Sequence, residues 1–227
     1  MTQFRAASLL LVALIALATA AFLRTQQLKL TKSPVARPQI KQSFSPTCGD
    51  NAPNCRHRAV LVFRLRQPER ISLNIVRAGD GTSVRRLIHD ERRPAGTVRV
   101  VWDGRGDAGG IVPDGRYELA VRLESLDRTV TIPDPIHVDT RPPSVQITRV
   151  QRGARVILVH FLASEPSRTY RLITADGRTI EESRTRPTVT RFTRAAFPPG
   201  LYTVTIYAED RAGNRTPSPP SVRITVP

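Results

Sequence analysis

The chain has 227 residues, 40% hydrophobic, 5% aromatic and 24% charged, which is too apolar for a fully disordered chain and suits one large domain or two small ones. Thirty-five Lys and Arg against 19 Asp and Glu give a net charge of +16, so a phosphate-bearing partner is the first thought. The distribution argues against nucleic acid. The three Lys (Lys29, Lys32, Lys41) sit together, every other base is Arg, and one Trp, four Tyr and seven Phe leave few rings to stack on bases. Residues 1–45 carry six bases and no acid, 46–141 sixteen Arg against thirteen carboxylates, and 142–227 thirteen Arg against six. No nucleic-acid partner is expected.

The N-terminus sets the compartment. Arg5 precedes Ala6–Leu23, a run without charge that spans about 27 Å as a helix, just enough for a bilayer core. A signal peptide fits the apolar stretch Leu9–Leu17 followed by the small-x-small site Ala18-Thr19-Ala20. A retained anchor fits the continuation through Ala21-Phe22-Leu23. Flanking charge does not separate them, because Arg24, Lys29 and Lys32 follow the run as Arg5 precedes it. A retained single-pass helix over residues 1–24 is the preferred reading. It places residues 25–227 on the extracytoplasmic side of the cytoplasmic membrane; cleavage after Ala20 would make the protein secreted.

Residues 25–44 have no sustained period, two prolines and scattered bases, and are expected to form an extended stalk near the lipid headgroups. Cys48 and Cys55, the only cysteines, flank six residues rich in Gly, Asn, Asp and Pro. A disulfide across so short a loop is worth ~2–3 kcal/mol in the chain-entropy model and agrees with an exported chain. A zinc site would need about four ligands, and only His57 stands near; two free thiols are the bland alternative.

From Ala59 the period becomes two. Ala59, Leu61, Phe63 and Leu65 alternate with polar neighbours, and Ile71, Leu73 and Ile75 repeat the pattern. Gly79-Asp80-Gly81 turns the chain into a short run over 84–88, and Val98, Val100 and Trp102 share one face of the next strand. Two glycine-rich turns lead to Tyr117, Leu119, Val121 and Leu123, and Val130, Ile132, Ile136 and Val138 complete a set that reads as a β-sandwich. Asp139-Thr140-Arg141-Pro142-Pro143 punctuates, since consecutive prolines cannot join a ladder. The pattern then restarts with Val145 and Ile147, followed by Val156, Leu158, His160 and Leu162 as one apolar side. Asp176-Gly177 marks a hairpin, Tyr202, Val204, Ile206 and Ala208 share a face, and the chain closes on a strand over 222–226. The expected fold class is all-β: two tandem Ig-like sandwiches, 45–139 and 140–227, after a transmembrane helix and a stalk.

Phe44-Ser45-Pro46, the strand Ile71-Ser-Leu-Asn-Ile75, the turn at Trp102, Asp103 and Gly104, and the corner at Pro113, Asp114, Gly115 and Tyr117 occur in this order. Together they resemble the Ig-like domain of flagellar hook-assembly (FlgD-type) proteins and many exported bacterial proteins, over roughly residues 44–138. The second half, with Asp210-Arg-Ala-Gly-Asn214, resembles a generic bacterial Ig-like or fibronectin-type module. The resemblance implies a fold, with no reaction attached. Nothing in the chain supports a flagellar role.

Other motifs have plain readings. Asp103, Asp107 and Asp114 suggest a calcium loop, but their spacing is not that of an EF-hand, and paired structural turns explain them better. Arg105-Gly106-Asp107 is an RGD tripeptide inside such a turn. Trp102 reads as a core anchor, and Tyr117 and Tyr202 as corner tyrosines whose phenols bond backbone. His57, His89, His137 and His160 lack ligand spacing, and no hydrolase or nucleotide-binding motif is present. Glu165 and the Glu181-Glu182 pair read as turn or solvated-face acids. A non-catalytic protein without metal or cofactor is expected, acting as a structural or protein-interaction module with a protein partner in the envelope. An anionic envelope polymer held by a stripe of Arg184, Arg186, Arg191 and Arg194 is the alternative, and an accessory role beside a separate enzyme the third.

Overall fold

Alternating apolar side chains become strands that bury one face, and almost every such run does so here. The computed structural model describes residues 14–19, 22, 33–49 and 54–226. Residues 14–19 and 22 are helical, and no helix among the described residues is long and apolar enough to cross a membrane. The rest of the expected spanning segment, the stalk residues before 33 and residues 50–53 lie outside the described residues.

In the first sandwich, β1 (Val35–Gln39), β3 (Ala59–Leu65) and β6 (Gly96–Trp102) form one sheet in the order β1-β3-β6. The facing sheet contains β2 (Gln42–Phe44), β4 (Glu69–Arg77), β5 (Ser83–Arg93), β7 (Gly115–Leu123) and β8 (Arg128–Val138), in the order β2-β8-β7-β4-β5. The core is filled by the residues the alternation singles out: Leu61, Phe63, Ile71, Leu73, Ile75, Leu119 and Val121 are all buried. Trp102 packs edge-on between Phe44 and Tyr117, with ring centroids 5.5 and 5.3 Å away. β8 contains Pro133 and Pro135 yet continues, because its register with β7 shifts between Tyr117 and Leu119 and lets the proline pair bulge out.

The expected stalk is corrected over 33–44. Residues 35–39 pair antiparallel with β3, the chain crosses sheets at the buried Ile40, and residues 42–44 pair in parallel with β8. Prolines suggested an unpaired segment, but Pro38 sits on an edge strand, where no neighbour needs its missing N–H. Arg37, at φ 49°, and a register shift between Ala36 and Gln39 mark a bulge there.

The second sandwich pairs β9 (Val145–Arg152), β10 (Val156–Ala163) and β13 (Val189–Thr193) in the order β13-β10-β9. Opposite lie β11 (Arg168–Ala175), β12 (Arg178–Arg184), β14 (Gly200–Glu209) and β15 (Ser221–Val226), in the order β12-β11-β14-β15. Asp176 and Gly177, at φ 49° and 72°, make the β11–β12 hairpin with both central residues left-handed. Tyr202, Val204, Ile206 and Ala208 are buried together. β10 has the opposite phase from the one expected: Ile157, Val159 and Phe161 are buried, while Val156, Leu158 and His160 are only half-covered and Leu162 is exposed. Apolar residues occupy both faces of this strand, so alternation alone could not choose between them. The two sandwiches have separate cores with no shared residue, and the chain is a tandem of Ig/fibronectin-like all-β units.

Candidate functional site at the inter-domain joint

The turn after β6 and the corner before β7 share one end of the first sandwich. Trp102 donates its indole N–H to the carbonyl of Arg105 at 2.9 Å, and Asp103 Oδ1 accepts from Arg105 N at 3.1 Å. Gly104 sits at φ 77°, where a Cβ would lie 2.3 Å from Pro46 Cγ. The Tyr117 phenol donates to the Pro113 carbonyl at 2.6 Å, and the Tyr202 phenol to the Pro198 carbonyl at 2.9 Å. Gly115 opens β7 opposite Val138.

Asp114 reaches beyond its own turn. Its Oδ1 accepts from Thr140 N at 2.8 Å and Thr140 Oγ1 at 2.9 Å, and its Oδ2 from Arg141 Nε at 3.0 Å. The corner therefore holds the linker leading into the second sandwich. Asp107 Oδ1 accepts from Arg86 N on β5 instead, so Asp103, Asp107 and Asp114 each serve a different stretch of backbone. The RGD tripeptide lies within this bonded turn.

Cys48 and Cys55 form a disulfide, with Cα atoms 5.8 Å apart. His57 Nε2 lies 3.1 Å from Cys55 Sγ, but sulfurs engaged in a disulfide are not thiolate ligands. The loop that this bridge closes meets the second sandwich. Asn54 Nδ2 donates to Glu209 Oε1 at 2.6 Å, and Asn214 Nδ2 donates to the Asp139 carbonyl at 2.9 Å. Gly213, at φ 94°, packs so closely that a Cβ would lie 2.7 Å from the Asn54 carbonyl oxygen and 2.8 Å from Cys55 Cα. Asp210 orders that turn by accepting from Gly213 N, Asn214 N and Asn214 Nδ2 at 2.7–2.9 Å.

A cleft runs along the joint, and its lining mixes both signs, Lys41, Arg56, Arg116, Arg141, Arg168 and Arg211 with Asp114, Asp139, Glu165, Glu209 and Asp210. His137 lines it too. Burial first, then Arg116, Lys41 and Arg211, push the His137 imidazole below its ordinary value. Asp139, Glu165 and Asp210 come together in it, one carboxylate oxygen of each lying within 4.8 Å of the others. Burial raises the Asp139 carboxyl above its ordinary value, helped by Asp210 and Asp114; burial raises Glu165, helped by Asp139 and Asp210. Hard oxygen donors in such a group can hold a divalent cation. Spacing in the sequence could not reveal them, because they come from the end of β8, the β10–β11 loop and the turn after β14. Each stands at an element boundary, and only Glu165 carries a turn residue beside it, Pro166.

The four arginines proposed as one stripe are placed apart. Arg184 lies on β12 opposite Tyr170, Arg191 on β13 opposite Leu158, and these strands belong to different sheets. Arg186 sits in the exposed connection between them, and Arg194, half-buried, begins the 3-10 turn after β13. They therefore do not share one strand face. Glu181 is paired with Arg171 at 2.6 Å and Glu182 with Arg215 at 3.3 Å, while the Tyr207 phenol donates to Glu182.

No family model matches the chain, and no curated protein matches it. Solved structures that resemble it include the fibronectin(III)-like modules of Clostridium thermocellum CbhA, 17% identical over 86% of this chain and 92% of that one, with a TM-score of 0.39. The FN1–FN3 domains of chicken CNTN1 are 14% identical over 84% of this chain and 68% of that one, with a TM-score of 0.46. FlgD from P. aeruginosa is 20% identical over 57% of this chain and 89% of that one, with a TM-score of 0.30. The tandem-sandwich architecture rests on the strand pairing described above.

Proposed function

We propose that the chain is a non-catalytic, membrane-anchored extracytoplasmic protein whose two Ig-like sandwiches form a stiff arm presenting a protein-binding surface at the cell envelope. The observation that carries this reading is the joint. Asn54–Glu209, Asn214–Asp139 and the Gly213 contact tie the sandwiches directly, and Asp114 fastens the linker on the same side. A loose tether needs none of these contacts; an arm that holds a surface at fixed distance and angle does. The order of the Trp102-Asp103-Gly104 turn and the Pro113–Tyr117 corner supports a FlgD-type first module. Exposed edge strands, β9 and β13 in one sheet and β12 and β15 in the other, supply backbone groups for pairing with a partner.

The test is affinity capture with the tagged full chain from detergent-solubilised envelope, washed at low and at high salt. A protein partner retained at high salt is the expected result. Recovery of anionic polymer alone, lost at high salt, would replace this reading with the polymer-binding one.

A further inference from the structure

We propose that the Cys48–Cys55 disulfide is a thiol-exchange site, which accepts two electrons from an external thiol and thereby loosens the joint it braces. The exchange chemistry is independent of the binding partner proposed above, while its consequence for the arm rests on that reading. The two sulfurs differ in access. Cys48 is 6% exposed, whereas Cys55 is half-buried and lines the joint cleft. An incoming thiolate therefore meets the Cys55 sulfur first.

The surroundings favour the reduced state. Cys55 is followed by three exposed bases in succession, Arg56, His57 and Arg58. One imidazole faces both sulfurs, with His57 Nε2 3.1 Å from Cys55 Sγ and His57 Nδ1 4.0 Å from Cys48 Sγ. An N–H donor and guanidinium groups beside a sulfur stabilise its thiolate, and a stabilised dithiol form is what makes a disulfide easily reduced. Glu209, the carboxylate that meets this loop, is held by Asn54 Nδ2 at 2.6 Å and lies 4.0 Å from Arg168. Cys48 Sγ lies 3.3 Å from the Ser45 carbonyl oxygen, to which a neutral thiol can donate.

The exchange balances as follows. A thiolate attacks Cys55 Sγ, the S–S bond breaks, and Cys48 leaves with the electron pair and takes a proton from solvent. A second thiolate then attacks the outer sulfur of the mixed disulfide, expelling Cys55 as a thiolate beside His57. The two external thiols are oxidised to a disulfide, and the cystine is reduced by two electrons. Opening the ring acts on the joint at once, because Asn54 adjoins Cys55 and the Gly213 turn packs against Cys55 Cα. Coupling of this kind is reciprocal: if the closed ring favours the joint contact, the contact favours the closed ring.

The experiment equilibrates the full chain, in detergent with chelator at pH 7, in mixtures of reduced and oxidised glutathione, then quenches with acid and counts alkylated thiols by mass. The expected result is conversion of the native protein to its dithiol form in excess reduced glutathione, with the mixed-disulfide intermediate mapped to Cys55. His57→Gln is expected to lower the equilibrium constant for reduction about fivefold, the scale of one close surface charge pair, and His57→Lys to restore it. Asn54→Ala is expected to raise the constant, by the reciprocity above. Asn54 and His57 are both exposed, so these variants keep the fold. A bridge that stays oxidised in excess reduced glutathione until the chain is unfolded in urea overturns the proposal, since that is how a structural disulfide behaves. Glutathione mapped to Cys48, or a constant that His57→Gln leaves unchanged, overturns the assigned chemistry. A constant unchanged by Asn54→Ala overturns the link to the joint.

Discussion

At Gly104 the chain needs glycine for two reasons that act together. The backbone lies at φ 77°, and the space a Cβ would take is filled by Pro46 Cγ at 2.3 Å, with Phe44 Cε2 at 3.3 Å. Gly104→Ala is expected to cost about 2–4 kcal/mol, the sum of left-handed strain and a clash inside the core. Gly109, at φ 82° with no heavy atom within 4 Å, isolates the first term, so Gly109→Ala is expected to cost only about 1–2 kcal/mol. Urea unfolding followed by Trp102 fluorescence measures both, and equal costs would mean that Pro46 gives way. The turn itself was legible, because Trp-Asp-Gly followed by a Pro-Asp-Gly-x-Tyr corner is a local pattern. The approach of Pro46 was not, since it depends on β2 folding back from sixty residues away. The disulfide was legible for the opposite reason: its partners are seven positions apart. The linker-fastening role of Asp114 stayed hidden, because its partners lie 26 and 27 residues downstream.

Among the elements, strands with one apolar and one polar face were read in the correct phase: β3, β4, β7 and β14 all bury the residues that alternation selects. β10 failed because both its faces are apolar, and β1 and β2 because prolines and lysines disguise short edge strands. The loops at the joint carry a prediction of their own. Asp139 and Glu165 hold their protons more tightly folded than unfolded, through burial first, then through Asp210 and Asp114 at Asp139 and through Asp139 and Asp210 at Glu165, with Arg141 opposing. A raised carboxyl pKa means that the folded state binds more protons across the window between the ordinary carboxylate value and the raised one. Folding stability from these groups is therefore lost as pH rises through that window. Glu165→Gln is expected to melt at a higher temperature than the parent at pH 7 and at the same temperature below the ordinary carboxylate range. A variant that melts lower at pH 7 would show Glu165 to be stabilising as a charge, contrary to its surroundings.

For the whole molecule, what matters is whether two sandwiches behave as one body. Neither core needs the other, so the angle between them is set by a few contacts at the joint. Three of these depend on the disulfide-closed loop: the Asn54–Glu209 bond at 2.6 Å and the two approaches of Gly213, to the Asn54 carbonyl and to Cys55 Cα. The bridge restricts where Asn54 can be, and Asn54 in turn meets a carboxylate that is almost wholly buried. Breaking either link should free the joint without unfolding a sandwich, because neither residue belongs to a core cluster. Asn54→Ala, or reduction of the disulfide by a dithiol, is thus expected to broaden the distribution of distances between spin labels placed on Glu118 of β7 and Arg178 of β12, with β-sheet circular dichroism unchanged. Gly213→Ala is expected to broaden it too, because its Cβ cannot occupy the space held by Asn54 without moving one sandwich against the other. The three perturbations act on the same contact from different chemistry: a lost amide, an opened ring and an added methyl. If they produce the same broadening, the contact sets the arm's stiffness. If none does, the Asp114–Thr140–Arg141 linker bonds alone hold the angle, and the loop merely rests against its neighbour.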